Sequence, residues 1–169
     1  MILLLCSPAL ANSKDDSIAA AKMHLGTFFK GDFKKLESSF AAKIVLMPGH
    51  ELLKQQYGLA GPGGRKTATT VERAKVIAAL TKATQGRPKM SDEQIKTMIQ
   101  KLKFETLPAK EGDFAAAPAD PVDTPDGKLH FTIKKGDVMI KVSPPRGDFL
   151  LYQSRKIDGK WKIVAEYLD

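Results

Sequence analysis

Apolar residues recur at helical spacing through the first third of the chain and at strand spacing through its last third. Ile18, Ala21, Leu25, Phe28 and Phe29 follow one another at three- and four-residue steps, which predicts a helix over 13–30 with one apolar face. Gly31 ends it, and Asp32 is placed to cap a short second helix whose stripe is Phe33, Leu36 and Phe40. A β-prone run, Ile44-Val45-Leu46-Met47, is stopped by Pro48-Gly49, and a short helix is expected over 50–59. Thr69 with Glu72, and Ser91 with Gln94, have the spacing of capping boxes, so each is expected to open a helix. The stripes then read Val71, Ala74, Ile77, Ala78 in the first and Ile95, Met98, Ile99, Leu102 in the second, with Gly86-Arg87-Pro88 between them.

Beyond residue 102 the period changes. A strand is expected at 103–109, a short one near 111–114, and four more at 128–134, 137–142, 147–157 and 160–168. Asp158-Gly159 is a strong two-residue hairpin signal. Helices first and an antiparallel meander last give an α+β class, with the inner face of the sheet burying the helical stripes. Trp161, Ile163, Ala165 and Tyr167 alternate along the last strand and are expected to share a face.

The first residues change the picture of compartment. "MILLLCSPALA" is uncharged, runs apolar from Ile2 to Cys6, and ends in Ala9-Leu10-Ala11, the small-x-small pattern of signal-peptide cleavage. Residues 1–11 are therefore expected to be a signal peptide and 12–169 one domain, secreted or periplasmic. A basic segment before the apolar run is missing, so the start is expected upstream or the signal is abbreviated. The run is too short for a bilayer, which takes about 20 apolar residues. Cys6 is the sole cysteine, so a chain cleaved after Ala11 has no thiol for disulfides, catalysis or metal binding.

The net charge of +8 comes from lysines scattered along the chain, which favours a solvated surface over a nucleic-acid groove. Specific nucleic-acid binding would want interleaved aromatics, and only 7% of residues are aromatic.

"YGLAGPGGRKT" (57–67) resembles a phosphate loop only superficially. Arg65 stands where the glycine before Lys66-Thr67 is required, and Ala60 stands where the earlier one belongs. A connector or lid is the expectation, with Arg65, Lys66 and, further on, Arg87 as weak anion-binding candidates. His24, His50 and His130 lack metal-ligand spacing, so no metal and no cofactor are expected. His24 is expected to flank its helical stripe, and His130 to face out of its strand or into the pocket mouth. Asp120, Asp123 and Asp126 recur every third residue, unlike a calcium loop, and read as an acidic surface turn.

Two stretches resemble the SnoaL-like, nuclear-transport-factor-two-like superfamily: "FFKGDFKKLESSFAAKIVLMPG" (28–49) and "KIDGKWKIVAEYLD" (156–169). In the first, a helix ends at Gly31-Asp32, a short helix follows, and Ala41-Ala42 leads into a strand. The second is similar to the family's final hairpin, with its Asp-Gly turn and Trp-x-Ile strand. The resemblance implies a cone: a bent antiparallel sheet wrapped around helices, with an apolar pocket open at one end and a helical insertion around 51–102. It also implies a homodimer through the outer sheet face, for which Leu150, Tyr152 and Val164 are candidates.

The leading functional expectation is binding without catalysis, of a small partly apolar ligand or a protein partner, in a pocket lined by Phe28, Met47, Tyr57, Trp161, Ile163 and Tyr167. Two alternatives stand beside it. One is a cyclase, isomerase or dehydratase using His50, Tyr57 and Asp148. The resemblance implies histidine or other polar pocket residues at the places of Ala165 and Tyr167, and their replacement weighs against that chemistry. The other is a binder of anionic envelope polymers through Arg65, Lys66 and Arg87.

Overall fold

The structure, a computed structural model, describes residues 8–48, 54, 58–59, 67–117, 122, 124–147 and 149–168, with side chains from residue 14 onward. His50, Tyr57, Arg65, Lys66, Asp148 and most of the helix expected at 50–59 lie outside the described residues.

The chain runs α1 (Pro8–Lys30), α2 (Phe33–Glu37), β1 (Phe40–Leu46), β2 (Thr69–Glu72), α3 (Arg73–Ala83), α4 (Asp92–Lys101), then β3 (Lys103–Leu107), β4 (Gly112–Ala116), β5 (Leu129–Ile133), β6 (Val138–Ser143), β7 (Leu150–Ile157) and β8 (Lys160–Tyr167). Six strands form one sheet in the order β2-β1-β8-β7-β6-β3, and β4 and β5 form a separate hairpin. Every pair in the larger sheet is antiparallel except β1 with β8, where the first and last long strands meet in parallel.

Local signals explain most of the boundaries. Asp32 caps α2 by accepting from the Lys35 amide, as its side chain is built to do. Ser91 and Gln94 form a complete capping box on α4, Ser91 accepting from the Gln94 amide and Gln94 from the Ser91 amide. Asp158 and Gly159 turn between β7 and β8 with φ of 49° and 74°, the left-handed pair of a type I′ turn.

The other expected capping box does not form. Thr69, Thr70 and Val71 are consecutive β-branched residues, and they pair with β1 as strand β2, Val71 opposite Ile44 and Glu72 opposite Lys43. Helix α3 therefore begins after Glu72, which makes no side-chain cap. The later start also changes which residues face inward: Val76, Ala79, Leu80 and Ala83 are buried, while Ala74 and Ala78 are exposed. The segment expected as a helical insertion is thus strand as well as helix.

The sheet has two apolar faces. On one, Ile140, Val142, Tyr152 and Ile163 pack with Ala21 and Leu25 of α1, Leu36 of α2 and Val76 and Leu80 of α3. On the other, Met47, Met139, Leu151, Ala165 and Tyr167 are covered by Leu129, Phe131 and Ile133 of the hairpin and by Val122. This double covering explains why β6 reads as an almost continuous apolar run instead of alternating with polar residues.

A bulge near the middle of β8 corrects the expected alternation. Ser154 is opposite Ile163, but the preceding Gln153 is opposite Ala165, so Val164 is the extra residue. A one-residue slip reverses every later side chain. Ile163 consequently faces the helices, whereas Ala165 and Tyr167 face the hairpin.

Candidate functional site

Between the hairpin side of the sheet and β5 lies a cleft of about 410 Å³. Its floor is apolar: Val45 of β1 and Met47 just beyond its end, Val164 and Ala165 of β8, and Phe131 of β5. Strand β1 supplies Ala41, Lys43 and Val45 because alternate residues of a strand project to one face. The bulge adds to this. By displacing Val164, it turns two successive residues of β8 onto the cleft.

The rim is basic. Lys43, Lys134 and Arg155 line the cleft, together with His130, Thr70, Thr132 and Gln153, and among the described residues no carboxylate lines it. One wall is fixed by Asp137. Its carboxylate takes Arg155 Nε at 2.6 Å and Nη2 at 2.7 Å, Gln153 Nε2 at 2.7 Å and the Lys134 amide at 2.9 Å. Burial alone would raise the Asp137 pKa, but these donors outweigh it and hold the carboxyl below its ordinary value. Gln153 also donates to the Thr132 carbonyl at 2.9 Å, tying the hairpin to the sheet. His130 Nε2 lies 2.9 Å from Asp126, which leaves the ring on the exposed face of β5, as expected.

A second polar group lies on the helical side, and sequence reasoning did not find it. His24 of α1, Tyr152 of β7 and Glu166 of β8 are all buried. Tyr152 and Glu166 oppose each other across the two strands, and the His24 ring meets the Phe40 and Tyr152 rings edge-on at 4.8 and 5.3 Å. Burial lowers the His24 pKa to about 4, the Glu166 charge offsetting only part of it. Burial and the same carboxylate push the Tyr152 phenol well above its usual range. The expectation that His24 flanks its stripe is corrected: from residue 14 onward, Ser17, Ala21, His24, Leu25 and Thr27 are the buried residues of α1. A histidine at helical spacing between Ala21 and Phe28 was the available signal. Lys54 is buried as well, its ammonium donating to the Thr67 carbonyl, and burial lowers its pKa to about 8.

The residues expected to line one pocket are dispersed among the described elements. Met47 lines the cleft, and Tyr167 lies on the same side of the sheet, its ring 6.2 Å from that of Phe149. Ile163 is in the helical core and Phe28 packs against it, 5.5 Å from Phe29. Trp161 lines a different depression with Met23, Ser38 and Lys162. The bulge is the physical reason, since it divides β8 between the two faces. Leu150 and Tyr152 face the helices instead of the outer surface, so of the three dimer candidates only Val164 is on the face expected for pairing, and there it lines the cleft. Arg87 is exposed in the connector between α3 and α4.

A long helix ends at Gly31-Asp32, a short one follows, and a sheet whose last two strands are joined by the Asp158-Gly159 turn packs on the helices. Among solved structures, the chain is similar to a protein of unknown function with a cystatin-like fold from Nostoc punctiforme, at 12% identity, a TM-score of 0.38, and 90% of this chain and 86% of that one covered. It is also similar to a nuclear-transport-factor-two-like protein of unknown function from Shewanella baltica, at 11% identity, a TM-score of 0.41, and 92% and 91% covered. No family model and no curated protein matches the sequence. Among the described residues, no helix is long and apolar enough to cross a membrane.

Proposed function

We propose that this domain binds a small, partly apolar molecule in the cleft between the sheet and β5. The observation that carries the reading is the apolar floor of Val45, Met47, Phe131, Val164 and Ala165, open to solvent beneath a polar rim. Concave sites of this size with a few polar groups at their edge are the usual form of small-molecule sites. The cluster of His24, Tyr152 and Glu166 supports the reading less well, because those side chains are enclosed by packing on Phe40 and the helices. An exported setting, carried by the apolar opening and Ala9-Leu10-Ala11, belongs to the same proposal.

The test is a binding titration with a panel of small amphiphiles, followed by heat denaturation, in the native chain and in Thr70→Trp. Thr70 is exposed on β2 at the cleft's edge, so an indole there obstructs the cleft without disturbing the core. Binding by the native chain that Thr70→Trp weakens at least about tenfold supports the reading. Equal binding by both proteins, or by neither, refutes it.

A further inference from the structure

The rim of the cleft carries information about its ligand beyond size and apolarity. From the cations that line it, we infer that the ligand is a single-chain monoanion, its chain on the Val45, Met47 and Val164 floor and its head group at Lys134 and Lys43; this rests on the binding reading above. Three acidic residues near the rim are each committed to a partner, and Asp113, opposite Thr132 on β4, does not line the cleft. Asp137 is fully buried behind Arg155, Glu72 lies 3.5 Å from Lys43, and Asp126 holds His130. None of the three lines the cleft, so among the described residues the charged side chains that an occupant meets are basic.

Lys134 is distinct among them. Its backbone amide is held by Asp137, yet among the described residues its ammonium has no carboxylate within 4.0 Å. Lys43 pairs with Glu72 only at the surface, both side chains being more than half exposed. Such a pair holds little energy and yields readily to a better-placed anion. Arg155 contributes differently. Its guanidinium is occupied at two nitrogens by Asp137, which fixes the wall and leaves Lys134 and Lys43 to meet the head group. Thr70 and Thr132 offer hydroxyls on either side. A cationic head would meet ammonium groups, and a neutral one would leave them solvated but unused.

The experiment compares three probes that share a ten-carbon chain, decanoate, decanol and decyltrimethylammonium, by calorimetry and amide-shift titration at neutral pH and low salt, below micelle formation. Decanoate is expected to bind about tenfold more tightly than decanol, with the cationic probe weakest. Lys134→Gln with Lys43→Gln should remove the preference for decanoate, and raising the salt should narrow it in the native chain. Both positions are exposed, so the fold is retained, and an unchanged melting temperature without probe verifies that. Decanol binding as tightly as decanoate refutes the inference while leaving the binding reading intact. A preference for decanoate that survives the double substitution also refutes it, since the anion is then held elsewhere. Absence of binding by all three probes contradicts the binding reading itself.

Discussion

His24 Nδ1 lies 2.7 Å from Ser39 Oγ, deep between α1 and the sheet. The Ser39 hydroxyl already donates to the Leu36 carbonyl at 2.6 Å, so it can only accept from His24. The buried ring is therefore neutral with its proton on Nδ1. Protonating Nε2 would place a full charge in the core, which is why the pKa is lowered to about 4.

A pH dependence follows, and its sign is determined. Unfolded, the ring takes a proton near its ordinary value of 6.5; folded, it does not until about 4. Between those values the unfolded chain binds more protons, so stability rises with pH across the window and is lost as pH falls from 6.5 to 4. The total is about 3 kcal/mol. Urea denaturation of the native chain and of His24→Leu at pH 7 and at pH 4.5 measures it. The native chain should lose stability over that interval while the variant, with no ring to titrate, loses much less. Equal losses would refute the assignment.

Tyr152→Phe tests the same region. Among the described residues the Tyr152 hydroxyl is buried without a hydrogen-bond partner. Removing it relieves an unmet polar group, so the variant should be as stable as the native chain or more stable by up to about 1 kcal/mol. A loss above about 2 kcal/mol in urea denaturation would mean that the hydroxyl contributes an interaction the packing does not show.

The Asp137 network should carry more. Asp137→Ala leaves Arg155, Gln153 and the Lys134 amide without their shared acceptor, at a cost of about 2–3 kcal/mol. Because the folded carboxyl is held below 3.8, its contribution is present above that value and lost as pH falls through the folded one. Guanidinium denaturation at neutral pH measures the loss, and a change below about 0.5 kcal/mol would contradict the network's role.

At the β7–β8 turn, Gly159 has φ of 74°. Gly159→Ala should cost about 1 kcal/mol, since a Cβ strains that left-handed conformation. Thermal denaturation reads the difference, and a neutral result would mean that the turn relaxes to another type.

How far this was legible in the sequence depends on which interactions decide each element. Ser91, Asp32 and Asp158-Gly159 act on neighbours within three residues, and the caps and turn they signal are present. Thr69-Glu72 carries two local signals at once, a capping box and a β-branched run, and pairing with β1 selects the second. The bulge at Val164 has no local signature: it follows from the register of β8 against β7, and it redistributes the expected pocket residues. The cleft was visible only through Met47. Its other walls come from β5 and β7, brought together by the hairpin folding over the sheet, which no spacing in the chain encodes.

The most direct test of the central claim is a map of amide and methyl shifts as decanoate is titrated into the labelled protein. Changes concentrated on Val45, Met47, Phe131, Val164 and Ala165 are the predicted result. Changes concentrated instead on Leu25, Phe28 and Ile163, across the sheet among the helices, would contradict it.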